Sequence, residues 1–143
     1  MTSWRETTTQ QTQDDFDDLL HTALPFAERS LSERGEFFPF GAVITVDGEL
    51  RTTAAHLGDE HPQSTDVLEA LYEATRSDGG ALRAAAFVAD VRTADGDAIR
   101  IDLEASEKAS IRILVPYKRN RLTKRPALGA MSVHPGEGHV WQA

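Results

Sequence analysis

Two stretches of this chain hold residue types that could do chemistry. The first is the loop His56-Leu-Gly-Asp-Glu-His61, in which His56, Asp59, Glu60 and His61 offer nitrogen and oxygen ligands suited to zinc or another divalent ion. Its spacing matches no helix-borne His-x3-His motif, and Asp- and His-rich loops ahead of a helix are commonly just solvated. The expectation is a solvated loop, with a metal-assisted enzyme built on His56, Asp59 and His61 as the alternative. His134 and His139, near the C-terminal end, are two further histidines that could in principle join it. The second stretch, KRNRLTKR, gathers Lys118, Arg119, Arg121, Lys124 and Arg125 within eight residues. It reads as a solvated connection, with docking of an anion, an acidic protein or RNA as the alternative. Tyr117 is the one aromatic beside it, a poor platform for stacking bases.

Other catalytic arrangements are missing. Cysteine is absent, which removes disulfides, thiolate nucleophiles and every cysteine-based metal site. There is no Gly-x-Ser-x-Gly, no P-loop and no glycine-rich dinucleotide motif. Asp95-Gly96-Asp97 is turn chemistry, since a calcium loop needs alternating ligands and a distal Glu. No complete catalytic set is present, so the expectation leans against an enzyme and includes no cofactor.

The 143 residues fit one domain with a real core, and the charged fraction of 27% suits a water-exposed surface. No apolar run is long enough to span a membrane, and MTSWRETTTQQTQ lacks the apolar centre of a signal peptide. A cytoplasmic protein is expected. The net charge is −8, and setting aside the five basic residues of KRNRLTKR leaves 10 basic against 23 acidic residues, a balance of −13. Such a body repels a phosphate backbone, so nucleic acid is not the expected partner.

The elements follow from periodicity. Residues 1–13 are Thr- and Gln-rich and are expected to form a disordered tail ahead of a single domain over 14–143. From Asp14, Phe16, Leu20, Ala23 or Leu24, Ala27 and Leu31 recur at helical spacing, Pro25 should kink the helix, and Gly35 should cap it. Asp47-Gly48 then marks a hairpin. A three-residue loop with Gly48 left-handed pairs Ile44 with Leu50 and Ala42 with Thr52, keeping apolar residues together. Phe38, Phe40, Ala42 and Ile44 would form its inward row. Ser64 is a natural N-cap for a helix carrying Val67, Leu68, Leu71 and Tyr72. Residues 83–92 are apolar on both faces, whereas AIRIDLE and IRILVPY alternate strictly. Matching apolar faces pairs Val91 with Ile99 and Ile101 with Ile113, which sets Asp90 beside Arg100 and Asp102 beside Arg112. A basic loop, 118–125, and a C-terminal tail, 126–143, with a short strand near Leu128 to Val133, complete the chain. The fold class is α+β in the order α-β-β-α-β-β-β, an antiparallel sheet with two helices on one face.

Two resemblances bear on this picture. PFGAVI, the DGE turn and a helix after a His- and Pro-containing loop, within Ala23–Ala74, resemble the zinc-dependent nucleobase deaminases. In that family the second helix opens with His-Ala-Glu, and a Pro-Cys-x-x-Cys completes the zinc site. Here the matching positions read Ser64-Thr65-Asp66 and no cysteine exists, so the resemblance implies the hairpin and not the reaction. GEFFPFGAVIT, DGE, GDEHP, AAAFVADVR, DAIRIDLE and VPYK, over Phe16–Lys118, are similar to a set of small acidic bacterial proteins of unassigned function. That likeness supports the fold and carries over no catalytic residue.

If Ala85, Phe87, Ala89 and Val91 meet the helices, then Ala84, Ala86 and Val88 face the other way, with Val43 and Leu114 and with Phe37 and Pro39 at the margin. Such an apolar second face needs a cover, either the tail through Leu128, Val140 and Trp141 or another molecule. The functional expectation is therefore a non-enzymatic interaction domain, adaptor- or immunity-like and homodimeric in one version, using Phe37, Val43, Ala86, Val88 and Leu114. Its partner would be another protein or a second copy.

Overall fold

A computed structural model of the chain describes residues 4–55, 63–119, 122 and 125–141. Helix α1 (Trp4–Thr7) leads into the long α2 (Gln10–Arg34). Strands β1 (Phe40–Thr45) and β2 (Leu50–Thr53) precede α3 (Ser64–Ser77), and β3 (Leu82–Thr93), β4 (Gly96–Ala105) and β5 (Ser110–Arg119) follow it. Two short strands, β6 (Pro126–Leu128) and β7 (Ser132–Pro135), both pair with β5. The sheet runs β2-β1-β3-β4-β5-β6, with every pair antiparallel. The class is α+β, as the residue pattern implies.

The turns do much of the positioning. Gly48 has φ 90° and Thr45 donates to the Glu49 carbonyl at 2.9 Å, which closes the three-residue loop and fixes Ile44 opposite Leu50. Gly35, at φ 78°, donates to the Leu31 carbonyl and ends α2 as a left-handed cap. Pro25 lies inside α2 without ending it. The bond it cannot donate is to the carbonyl of His21, and both residues are exposed, so water can serve that carbonyl. Helix α3 is capped at Gln63, one residue ahead of the expected Ser64, which is its first helical residue.

Three expectations are corrected. Residues 4–7 and 10–13 are helical, joined through Thr8 and Thr9, rather than a disordered tail: Trp4 packs on Phe16 at 5.5 Å between ring centroids, and Arg5 reaches Asp17 at 2.9 Å. The helices take opposite faces of the sheet. Phe16, Leu19, Ala23, Ala27 and Leu31 of α2 pack with Ala42, Ile44, Ala84, Ala86 and Val88. Val67, Leu68, Leu71 and Tyr72 of α3 pack with Val43, Ala85, Phe87 and Ala89. The cause is β3 itself, a central strand whose two rows are both apolar, so that each row needs a helix. Its alanines are small enough for helices to settle on both sides.

The third correction concerns the β3–β4 register. Thr93 pairs with Gly96 across a two-residue turn, Gly96 has φ 121°, and Val91 lies opposite Ala98 instead of Ile99. A one-residue slip turns each β4 side chain to the other face. Ile99, Ile101 and Leu103 therefore join the α2 core. Arg100, Asp102 and Glu104 turn toward α3, opposite Ala89, Phe87 and Ala85.

Candidate functional site

Charged residues packed under α3 and the C-terminal segment form the most unusual cluster of the fold. Asp102 is 3% exposed and Glu104 1% exposed. The β4–β5 ladder pairs Asp102 with Arg112, which donates Nε and Nη2 to the two carboxylate oxygens at 2.8 and 3.2 Å. This forked arrangement suits a guanidinium, and the bond to Asp102 pushes the Arg112 pKa up further. Arg100 Nε stands 3.5 Å from the same carboxylate, and His139 Nε2 stands 3.9 Å from it. Neither of those two buried nitrogens has a hydrogen-bond partner among the described residues. The His139 ring stacks on Tyr72 of α3 at 3.9 Å and 5° and meets Phe87 edge-on. Burial pushes the Tyr72 phenol up from its ordinary range.

Glu104 has a separate task. Its carboxylate accepts the backbone N–H groups of His139, Val140 and Trp141 at 2.8–3.1 Å. Arg76 of α3 donates to the His139 carbonyl. Val140 and Trp141 then pack beside Ala55 and Val91 on the α3 core. A buried carboxylate is costly unless hydrogen bonds replace its water, and here three successive amides of one segment do so. Among the described residues, no hydroxyl is hydrogen-bonded to Nε2 of the cluster's histidine. What its geometry accomplishes is to fasten residues 139–141 over the sheet.

A second polar pair lies on the α2 side. The Tyr117 hydroxyl donates to Asp90 at 2.6 Å. Burial raises the Asp90 pKa, and burial followed by the bond to Asp90 pushes Tyr117 up to about 12. Both groups hold their protons more tightly folded than unfolded, so the native state binds the extra protons and stability declines as pH rises through each raised value. Urea midpoints are expected to fall above the ordinary aspartate range, and again between pH 10 and about 12. Tyr117→Phe should reduce the alkaline fall, leaving the part that the buried Tyr72 phenol contributes, and Asp90→Asn should remove the acidic one.

The surface carries two large aromatics. Phe26 on α2 is 47% exposed and Phe38, just before β1, is 50% exposed. Phe26 meets Phe40 edge-on at 4.7 Å, as Phe37 does at 5.7 Å. Phe38 thus stands outside the inward row in which the alternation places it, and that row starts at Phe40.

The residues expected to form one interaction face are separated. Ala86 and Val88, both 0% exposed, lie in the α2 core. Phe37 packs at the margin of that core, and Val43 lies in the α3 core. Leu114 is half-buried opposite Arg100. The apolar face is covered by the chain itself, through α3, Val140 and Trp141 on one side and α2 and Leu128 on the other. Of the basic residues, Lys118 and Arg119 end β5 and are exposed, as is Arg125, while Arg121 and Lys124 lie outside the described residues. His56, Asp59 and His61 also lie outside them. Among the described residues, no group of three or more His, Asp or Glu side chains is placed to hold a metal ion, and no helix is long and apolar enough to cross a membrane.

Sequence reasoning missed Arg100, Glu104, Tyr72 and His139 as partners, because β4 reads as a strand with one wet face. The available signal was β3: a neighbour that is apolar on both rows leaves β4 little room for a solvated face. No protein-family model matches the chain, and the searches of curated proteins and of solved structures likewise find no match.

Proposed function

We propose that this chain is a non-enzymatic protein-interaction domain of the adaptor or immunity type, which meets another protein or a second copy of itself through its surface. The observation that carries this reading is the pair Phe26 and Phe38, each about half exposed around the Phe37–Phe40 edge of the core. Leaving two rings half in water forgoes burial worth about 1 kcal/mol each, and aromatic side chains are enriched where proteins meet. The buried carboxylates add support, because each is engaged by the fold: Asp15 by Arg83, Asp102 by Arg112, and Glu104 by the 139–141 amides. They act as fasteners. The absence of cysteine is compatible with the cytoplasmic setting this reading assumes.

Site-specific photocrosslinking in the native cell tests the proposal. A benzophenone side chain replacing Phe38 is expected to give a discrete adduct, weakened at least about fivefold by Phe26→Ser, a loss on the scale of about 1 kcal/mol of contact. The same probe at exposed Ala94, in the β3–β4 turn, should give none. Equal labelling from both positions, or none from Phe38, would contradict the reading.

A further inference from the structure

The two edges of the sheet are built differently. On the β5 side, Pro126 opens β6 and Pro135 closes β7, and proline is a common means of stopping an edge from pairing with another chain. On the opposite side β2, Leu50-Arg51-Thr52-Thr53, has neither proline nor lysine. The hairpin fixes which of its main-chain groups turn away from β1. Thr45 donates to the Glu49 carbonyl, so residues 45 and 49 form a hydrogen-bonded pair. By the alternation of an antiparallel ladder, Arg51 and Thr53 also turn toward Val43 and Gly41 of β1. Leu50 and Thr52 turn their N–H and C=O groups outward.

We infer that β2 pairs with β2 of a second copy of this chain, antiparallel about a two-fold axis at Leu50. This rests on the interaction reading above and names the partner. With the axis there, the two Leu50 residues form a hydrogen-bonded pair, which is what their outward groups require. Glu49 of each copy then faces Arg51 of the other as a non-hydrogen-bonded pair, the kind in which side chains stand closest, with Cα atoms about 4.5 Å apart.

Charge complementarity selects this occupant. Within one chain Arg51 and Glu49 pair at 2.9 Å, and each side chain remains 60% exposed. Across the axis the four side chains make a ring of alternating sign, with every carboxylate between two guanidinium groups. An axis at Arg51 would set like charges face to face and would also need groups already turned toward β1. Val46 in the adjoining turn, 56% exposed, adds apolar surface at the same edge. The seam is short, so the dissociation constant falls on the order of tens to hundreds of micromolar.

Sedimentation of the full chain from micromolar to millimolar concentration, in low salt, tests the inference. The wild type should shift from monomer to dimer over that range. Thr52→Pro removes an outward N–H that this register aims at the Gly48 carbonyl of the second copy, without touching the bonds to β1, and should weaken the dimer about tenfold or more. Glu49→Arg and Arg51→Glu should each weaken the dimer about tenfold or more, because two seam pairs become repulsive. The double reversal should recover wild-type association within about threefold. Circular dichroism confirms that each variant is folded, and if Thr52→Pro is not, the charge series decides alone. A wild type that stays monomeric at about 1 mM (above the expected range), a folded Thr52→Pro that dimerises as tightly as the wild type, or a double reversal without recovery overturns the inference. Crosslinking at Phe38 does not depend on β2, so either result can fail while the other stands.

Discussion

Replacing Asp102 with alanine is expected to destabilise the fold by about 3 kcal/mol. The variant would leave Arg112 without its forked partner and Arg100 without the carboxylate 3.5 Å away. Breaking a buried ion pair by removing one partner costs more than the pair contributes, because a charge stays behind uncompensated. The guanidinium side chains are 29% and 21% exposed, so they can reach some water, which holds the cost toward the lower end of that range. Against a total stability of about 7–20 kcal/mol for a chain of this length, the loss is large. Asp102→Asn keeps the shape and should cost less. Urea unfolding measures both, and an Asp102→Ala loss below about 1 kcal/mol would show the cluster to be loosely formed.

The second large effect belongs to Glu104. In the full chain Glu104→Leu is expected to cost about 2–4 kcal/mol, since three amides of residues 139–141 lose a charged acceptor. In a chain shortened to end at Gly136, the same substitution should cost little or even stabilise, because the carboxylate has then lost the amides that justify its burial. The two changes should couple by at least about 2 kcal/mol in a double-mutant cycle. Simple additivity would mean that Glu104 and the segment do not act together. The shortened chain is itself expected to be less stable, as Tyr72 and Phe87 lose the His139 ring.

Particular residues explain what could be read from the sequence. Asp47-Gly48 admits few turn conformations, so the β1–β2 register is legible, and the strict alternation of β4 and β5 makes Asp102–Arg112 legible too. β3 fails for a physical reason. Both its rows are apolar, so apolar matching favours neither register, and the short Ala94-Asp95 turn decides. That single slip carried Arg100, Asp102 and Glu104 from an expected wet face to the interior. The segment Gly136–Trp141 has no period to read, because side chain-to-backbone bonds and ring stacking hold it rather than a ladder. Trp4 was hidden by its polar neighbours, although it packs on Phe16. Ala86, Val88 and Val43 of the expected interaction face are core because α2 and α3 cover opposite faces of β3, and the exposed rings are Phe26 and Phe38.

The sheet faces are closed by the chain's own helices and C-terminal segment, which leaves, among the described residues, the β2 edge and the aromatic surface for contacts. Residue-resolved amide hydrogen exchange tests that closure most directly. The amides of His139, Val140 and Trp141 lie outside any helix or strand, yet each donates to a carboxylate 1% exposed. They are expected to exchange at least about a hundredfold more slowly than in a free peptide, and to lose that protection in Glu104→Leu. Free-peptide rates at all three amides in the wild type would contradict the account.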